Sequence, residues 1–112
     1  MHARVWRVRM LPGKTEDFKA ALQALSEQAR RQPGYRGFLL LGPAGEDTPD
    51  TTVIGLWESF DAMRASERNL FLTQALAHLY KFSEGMPHIV ERPVLSSNFE
   101  VGGKSAGPGT RA

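Results

Sequence analysis

Residues 3–10 alternate: Trp6, Val8 and Met10 fall on one side of an extended chain, Val5, Arg7 and Arg9 on the other. The spacing predicts a strand with one apolar face, ended by Pro12-Gly13. Thr15 is placed to cap a helix whose first turn carries Glu16 and Asp17, where negative charge meets the positive end of the helix dipole. Phe18, Leu22, Leu25 and Ala29 recur at helical spacing, Arg30 and Arg31 stand where positive charge suits the dipole, and Gln32-Pro33-Gly34 stops the helix. Tyr35 to Leu41 reads as a second strand, apolar on both faces through Phe38-Leu39-Leu40-Leu41. Gly42 to Asp50 is loop by composition, and Thr51 to Trp57 is a third strand.

Ser59 can cap the next helical region, with Asp61 in its first turn. That region runs from Phe60 to about Glu84 and breaks near Ser66 to Asn69. Leu72, Leu76 and Leu79 form one stripe; Phe71, Ala75, His78 and Phe82 form an adjacent one, and Gly85-Met86-Pro87 ends the helix. His88 to Val101 is a last extended stretch. Pro93 removes a ladder donor within it, so this strand belongs at an edge or carries a bulge.

The order is β-α-β-β-α-β. Two right-handed βαβ units of this kind make an α+β, ferredoxin-like fold, one antiparallel sheet with the helices on one face. The other sheet face stays uncovered and is partly apolar, because the second strand is apolar on both sides. A bare apolar sheet face on a small protein marks an interface. A homodimer that stacks sheet on sheet through this open face is therefore expected.

Composition narrows the chemistry. With 112 residues, 41% apolar and 23% charged, the chain can bury one core. It has no cysteine, which excludes disulfides, thiolate metal sites and thiol nucleophiles. No apolar run is long enough to cross a bilayer, so no membrane partner is expected. Met1 to Trp6 lacks the apolar stretch of a signal peptide, which leaves the cytoplasm as the expected location. Residues 102–112 hold Lys104 and Arg111 and no acid; without them the remaining 12 basic and 12 acidic residues balance. A neutral body argues against nucleic-acid binding, which needs a clustered basic face. The same segment is rich in glycine and lacks large apolar side chains. It reads as a flexible tail after a domain spanning residues 1–101. Gly103-Lys104-Ser105 ends like a phosphate-binding loop, but Asn98 stands where the leading glycine is needed and no helix follows.

Four groups of side chains could carry chemistry. Trp57, at the end of the third strand, can plug the gap between sheet and helix or wall a site for a flat aromatic ligand. His78, inside a helical apolar stripe, is either a satisfied core histidine or a general base, but no carboxylate stands one turn away on its helix. Arg7 and Arg9 share a strand face, as exposed charge, as partners across a dimer, or as stabilisers of an anionic oxygen. Tyr35 and Tyr80 are packing candidates, Tyr80 being the better placed for a site because it neighbours His78. His88 and Glu91 fall on opposite strand faces, and no second histidine stands at helical spacing from His78, so no metal site is expected. No Gly-x-Ser-x-Gly elbow supports an acylating serine.

Several segments carry a family resemblance. Pro12-Gly13-Lys14 before the first helix, Arg31-x-Pro33-Gly34-Tyr35-x-Gly37 entering the second strand, and Leu56-Trp57-Glu58-Ser59-x-x-Ala62 leaving the third resemble the antibiotic biosynthesis monooxygenase family over about residues 3–100. The resemblance implies a dimeric α/β barrel. It also implies a reaction without cofactor, in which oxygen attacks a deprotonated phenolic or polycyclic, polyketide-like substrate in a dry aromatic pocket. On that reading His78 and Arg7 are the catalytic candidates, and Trp57, Tyr80, Trp6 and Met63 contact the substrate. The alternative is a non-catalytic, ligand-binding or stress-associated module on the same barrel. The heme-degrading relatives have a strand-one asparagine and a second tryptophan after the Trp-x-Ser exit. Here strand one offers Trp6, Arg7 and Arg9, and Met63 or Ser66 falls near the tryptophan position. Heme degradation therefore ranks behind both readings. Fold alone does not choose between them.

Overall fold

The computed structural model describes residues 1–45 and 50–98. The flexible tail expected over residues 102–112, with its Gly103-Lys104-Ser105 run, lies outside the described residues.

Four strands, β1 (His2–Val8), β2 (Tyr35–Leu41), β3 (Thr51–Trp57) and β4 (His88–Pro93), form one antiparallel sheet in the order β2-β3-β1-β4. Helix α1 (Thr15–Ala29) links β1 to β2. Helices α2 (Phe60–Ser66) and α3 (Leu70–Leu79), followed by a short 3-10 turn (Tyr80–Phe82), link β3 to β4. This is the α+β, ferredoxin-like arrangement expected from the alternation of periods, with the helical break falling between Ser66 and Leu70.

Strand parity decides which side chains meet the helices. Trp6 and Val8 on β1, Val53 on β3 and Phe38 and Leu40 on β2 share one face. They pack against Phe18, Leu22 and Leu25 of α1 and Leu72, Leu76 and Leu79 of α3. Phe18, Met63 and Leu79 are the largest fully buried side chains. Helices α2 and α3 each begin at a side-chain cap. Ser59 Oγ accepts the Ala62 amide at 3.0 Å, and Asn69 Oδ1 accepts the Leu72 amide at 2.9 Å, so both short helices are capped and the chain restarts cleanly after the break. Thr15 does not cap α1. It is the first helical residue, and Lys14 precedes it without a side-chain cap.

Strands β1 and β4 end differently from expectation. β1 stops at Val8, and Met10 instead bridges to Ser83. β4 stops at Pro93 rather than continuing toward Val101, and it is an edge strand, where a missing ladder donor is tolerated.

The face turned away from the helices carries one continuous apolar row. Leu39, Ile54, Val5 and Val90 stand side by side across all four strands in the pairing register. Leu39 is 50% and Leu41 46% exposed, which is high for leucines in a sheet. No helix among the described residues is long and apolar enough to cross a membrane.

Candidate functional site

Between α1, α3 and the sheet lies a cavity of about 130 Å³. Its floor is the helix-facing side of the sheet, with Trp6, Phe38, Val53 and Trp57 as the large residues. One wall is the buried face of α1, the other is α3 with the end of α2. Apolar atoms dominate because these are the positions whose parity or helical phase turns them inward.

Two aromatic contacts fix the floor. Tyr35 meets Trp57 edge-on, with ring centroids 5.1 Å apart. Tyr80 meets Trp6 edge-on at 6.3 Å. The Tyr35 hydroxyl also lies 2.9 Å from Ser26 Oγ on α1. Two hydroxyls hold two hydrogens and one contact uses only one, so this pair keeps a hydrogen to donate. Burial pushes the Tyr35 hydroxyl above its ordinary pKa, against smaller lowering contributions from the Ser26 contact and Arg30. Burial likewise raises Tyr80, opposed by the charge of Arg4. The Trp6 indole nitrogen is buried and has no hydrogen-bond partner among the described residues.

One rim of the cavity is electrostatic. Arg4 lies on the helix-facing side of β1, in the same parity class as Trp6 and Val8, and its side chain is only 14% exposed. A buried guanidinium needs partners. Arg4 pairs with Glu67, just beyond α2, and with Glu91 on β4 at 3.0 Å. Arg64 pairs with the same two carboxylates, at 2.9 Å and 3.1 Å. The four side chains form a closed ring of two cations and two anions. Burial works to raise the Glu67 pKa, but the hydrogen bond and charge of Arg4, helped by Arg64, outweigh it and hold the carboxyl below its usual range.

Of the residues singled out in the sequence, Trp6 and Trp57 line the cavity. Tyr80 reaches it through its contact with Trp6, and Met63, on α2, is wholly buried without forming its surface. Arg7 and His78 do not line it. Arg7 has the opposite parity to Trp6 and is exposed on the open sheet face beside Thr52 and His88. His78 is exposed on the outer side of α3, edge-on to Phe82 at 5.4 Å. The stripe containing Phe71, His78 and Phe82 is thus the outer shoulder of the helix, and only Ala75 and Phe82 of that stripe pack on the core. Arg4, Glu67, Ser26, Tyr35, Ser66 and Thr73 are the other polar side chains of the lining. Arg4 carried a usable signal, a charge on the apolar face of an inner strand, whereas Glu67 and Ser26 did not stand out from ordinary helix-surface residues. His88 and Glu91 fall on opposite faces, and the described residues hold no cluster of three metal-ligating side chains.

Relatives share this architecture. A variant of SnoaB, a cofactor-independent oxygenase from Streptomyces nogalater, superimposes with a TM-score of 0.73 at 18% identity, covering 88% of this chain and 97% of that one. A Nitrosomonas europaea protein bearing an antibiotic biosynthesis monooxygenase name matches with a TM-score of 0.69 at 20% identity, over 86% of this chain and all of the other. Rv0793 from Mycobacterium tuberculosis matches at 0.67 and 16% identity, over 86% and 96% of the two chains. At these identities the likeness concerns the fold. No curated protein matches the chain. The family model for antibiotic biosynthesis monooxygenase matches residues 1–77, a span that contains every residue lining the cavity, and the chain belongs to that family.

Proposed function

We propose that this protein is a homodimeric, cofactor-independent monooxygenase-like protein that takes a small aromatic substrate into the cavity between helices and sheet. The observation that carries this reading is the cavity itself: apolar, floored by two tryptophans, and walled by two helices. A dry aromatic site suits direct reaction of oxygen with an electron-rich ring. The balance needs no external reductant. A phenol with a free para position takes up one dioxygen, one oxygen atom becomes the second carbonyl of the quinone, and the other leaves as water with the para ring hydrogen and the phenolic hydrogen. The chain's part is to bind the ring against Trp57 and Trp6, to orient it, and to keep water out. Arg7 and His78 stand outside the cavity of their own chain, so the binding role rests on the floor and walls.

The second reading, a binding module on the same barrel, is favoured by one specific feature. The described lining contains no histidine, the side chain that ordinarily exchanges a proton near neutrality. Oxygen uptake with 1-naphthol, a phenol with a free para position, separates the two. Catalysis predicts protein-dependent oxygen consumption above autoxidation that falls in a Trp57→Phe variant. Consumption equal to the protein-free rate, with naphthol bound, establishes the binding module instead.

The dimer follows from the apolar row Leu39, Ile54, Val5 and Val90, and from the family's barrel architecture.

A further inference from the structure

Gly55 lies in the middle of the cavity floor. Its partners across the sheet are Phe38 on β2 and Arg4 on β1, its same-face neighbours along β3 are Val53 and Trp57, and all four line the cavity with it. β3 is an inner strand. A glycine there forgoes side-chain packing and loses more backbone entropy on folding than any other residue.

Two structural demands call for glycine: a positive φ, or a neighbour too close for a Cβ. Gly34 meets both, with φ 87° and an ideal Cβ 2.6 Å from the Ala62 Cβ. Gly55 meets neither. Its φ is not in the positive range, and a Cβ there would meet the Arg4 carbonyl oxygen at 3.9 Å and Trp57 Nε1 at 4.0 Å, ordinary contact distances. The fold would accept a side chain at this position. What it would lose is the open space above the floor.

We propose that Gly55 is a specificity-determining residue, holding the floor open for the edge of a single, uncharged aromatic ring that carries an oxygen acceptor. This deepens the aromatic-substrate reading above and rests on it. Size follows from volume: about 130 Å³ is close to the engineered apolar cavity of about 150 Å³ that holds benzene. Charge follows from the rim. Arg4 is the cation among the described lining residues, and its guanidinium is already shared between Glu67 and Glu91, while the Glu67 carboxylate is itself part of the wall. An anionic ligand would meet a carboxylate and find the cation taken. The oxygen acceptor follows from Trp57, whose indole nitrogen stands at the edge of the hollow.

The test uses acetophenone and benzoate as probes, binding by calorimetry, and thermal melting of the full chain and of Gly55→Ala and Gly55→Val. Acetophenone is expected to bind the native chain, and benzoate to bind roughly tenfold more weakly or worse. Gly55→Ala should weaken acetophenone roughly tenfold, and Gly55→Val more, since one methylene in a filled pocket carries that order of discrimination. Melting temperature should hold or rise in both variants, because a side chain suits an inner strand. Absence of acetophenone binding to the native chain, equal binding of benzoate, or unchanged affinity in Gly55→Val each overturns the proposal. So does a marked fall in melting temperature already in Gly55→Ala, which would make the glycine structural. The two proposals fail separately. Acetophenone binding without oxygen consumption on phenols removes catalysis and leaves Gly55 its role; phenol oxidation with unchanged KM in Gly55→Val does the reverse.

Discussion

The Tyr35 hydroxyl lies 2.9 Å from Ser26 Oγ, which ties the first residue of β2 to the buried face of α1 across the cavity wall. Ser26 is 5% exposed, so water is a poor substitute for this partner. Replacing Tyr35 by phenylalanine keeps the edge contact with Trp57 and removes only the hydroxyl. The expected loss is about 1 kcal/mol, the usual scale for one neutral hydrogen bond, read by urea unfolding. A loss below the error of the measurement would show that the Ser26 hydroxyl finds another partner.

Alkaline titration offers a second check. The chain has two tyrosines, and both are pushed above the ordinary value of 10.0, chiefly by burial. Phenolate absorbance of the folded protein should therefore begin to rise only above the pH at which free tyrosine ionises. The sign for stability follows from linkage. The unfolded chain loses its phenolic protons first, so stability from these groups is present below pH 10 and falls as pH rises through the folded-state values. A phenolate signal at the free-tyrosine position while the protein is still folded would contradict the burial of both rings.

The ion ring predicts unequal costs for its two cations. Arg4→Met leaves Glu67 and a partly buried Glu91 without their inner partner, at an expected cost of roughly 2 kcal/mol. Arg64 is half exposed, so Arg64→Met should cost under about 1 kcal/mol. Glu67, held below its ordinary 4.5, contributes stability that is present above that value and is lost as pH falls through the lower folded-state value. Acid unfolding of Arg4→Met should show a weaker dependence, with Arg64 still paired to Glu67. Equal costs for the two arginine variants would place the ring in solvent rather than at a buried rim.

Gly34 supplies a backbone test. With φ 87° and Ala62 against it, Gly34→Ala should cost more than about 2 kcal/mol, combining left-handed strain with a steric clash. Ala62→Gly in the same chain should restore only the clash component. Full rescue by the second change would show that φ relaxes freely.

On the open face, Ile54 stands between Leu39 and Val5. Ile54→Glu places a charge at the centre of the proposed dimer contact. It should give a folded monomer by light scattering where the native chain is a dimer. A native monomer at micromolar concentration, or a dimeric Ile54→Glu variant, removes the sheet-to-sheet assembly.

Period alone revealed most of this architecture. Phe18, Leu22, Leu25 and Ala29 repeat so regularly that α1 and its buried face are visible without coordinates, and all four are buried. Pro93 pointed to an edge strand or a bulge because a proline cannot complete an inner ladder, and β4 lies at the edge. The site was harder to see. The parity that put Trp6 and Val8 on the apolar face also puts Arg4 there, yet its partners are remote in sequence, Glu67 and Glu91, and local patterning does not encode such pairings. His78 misled for a related reason. Leu72, Leu76 and Leu79 fill the inward stripe of α3, and the residue beside a full stripe turns outward, where an imidazole resembles a buried one only in one dimension.

The order of the cavity residues along the chain has a consequence for how the protein is made. All of them fall between Arg4 and Leu76, and the strand that carries Glu91 follows. During synthesis, every wall and floor residue has emerged before β4 exists to cover the free edge of β1 and to grip Arg4. Until then Arg4 has only Glu67, and β1 presents an unpaired edge. The last described strand adds no surface to the chamber; it covers the free edge of β1 and gives the rim arginine its second carboxylate.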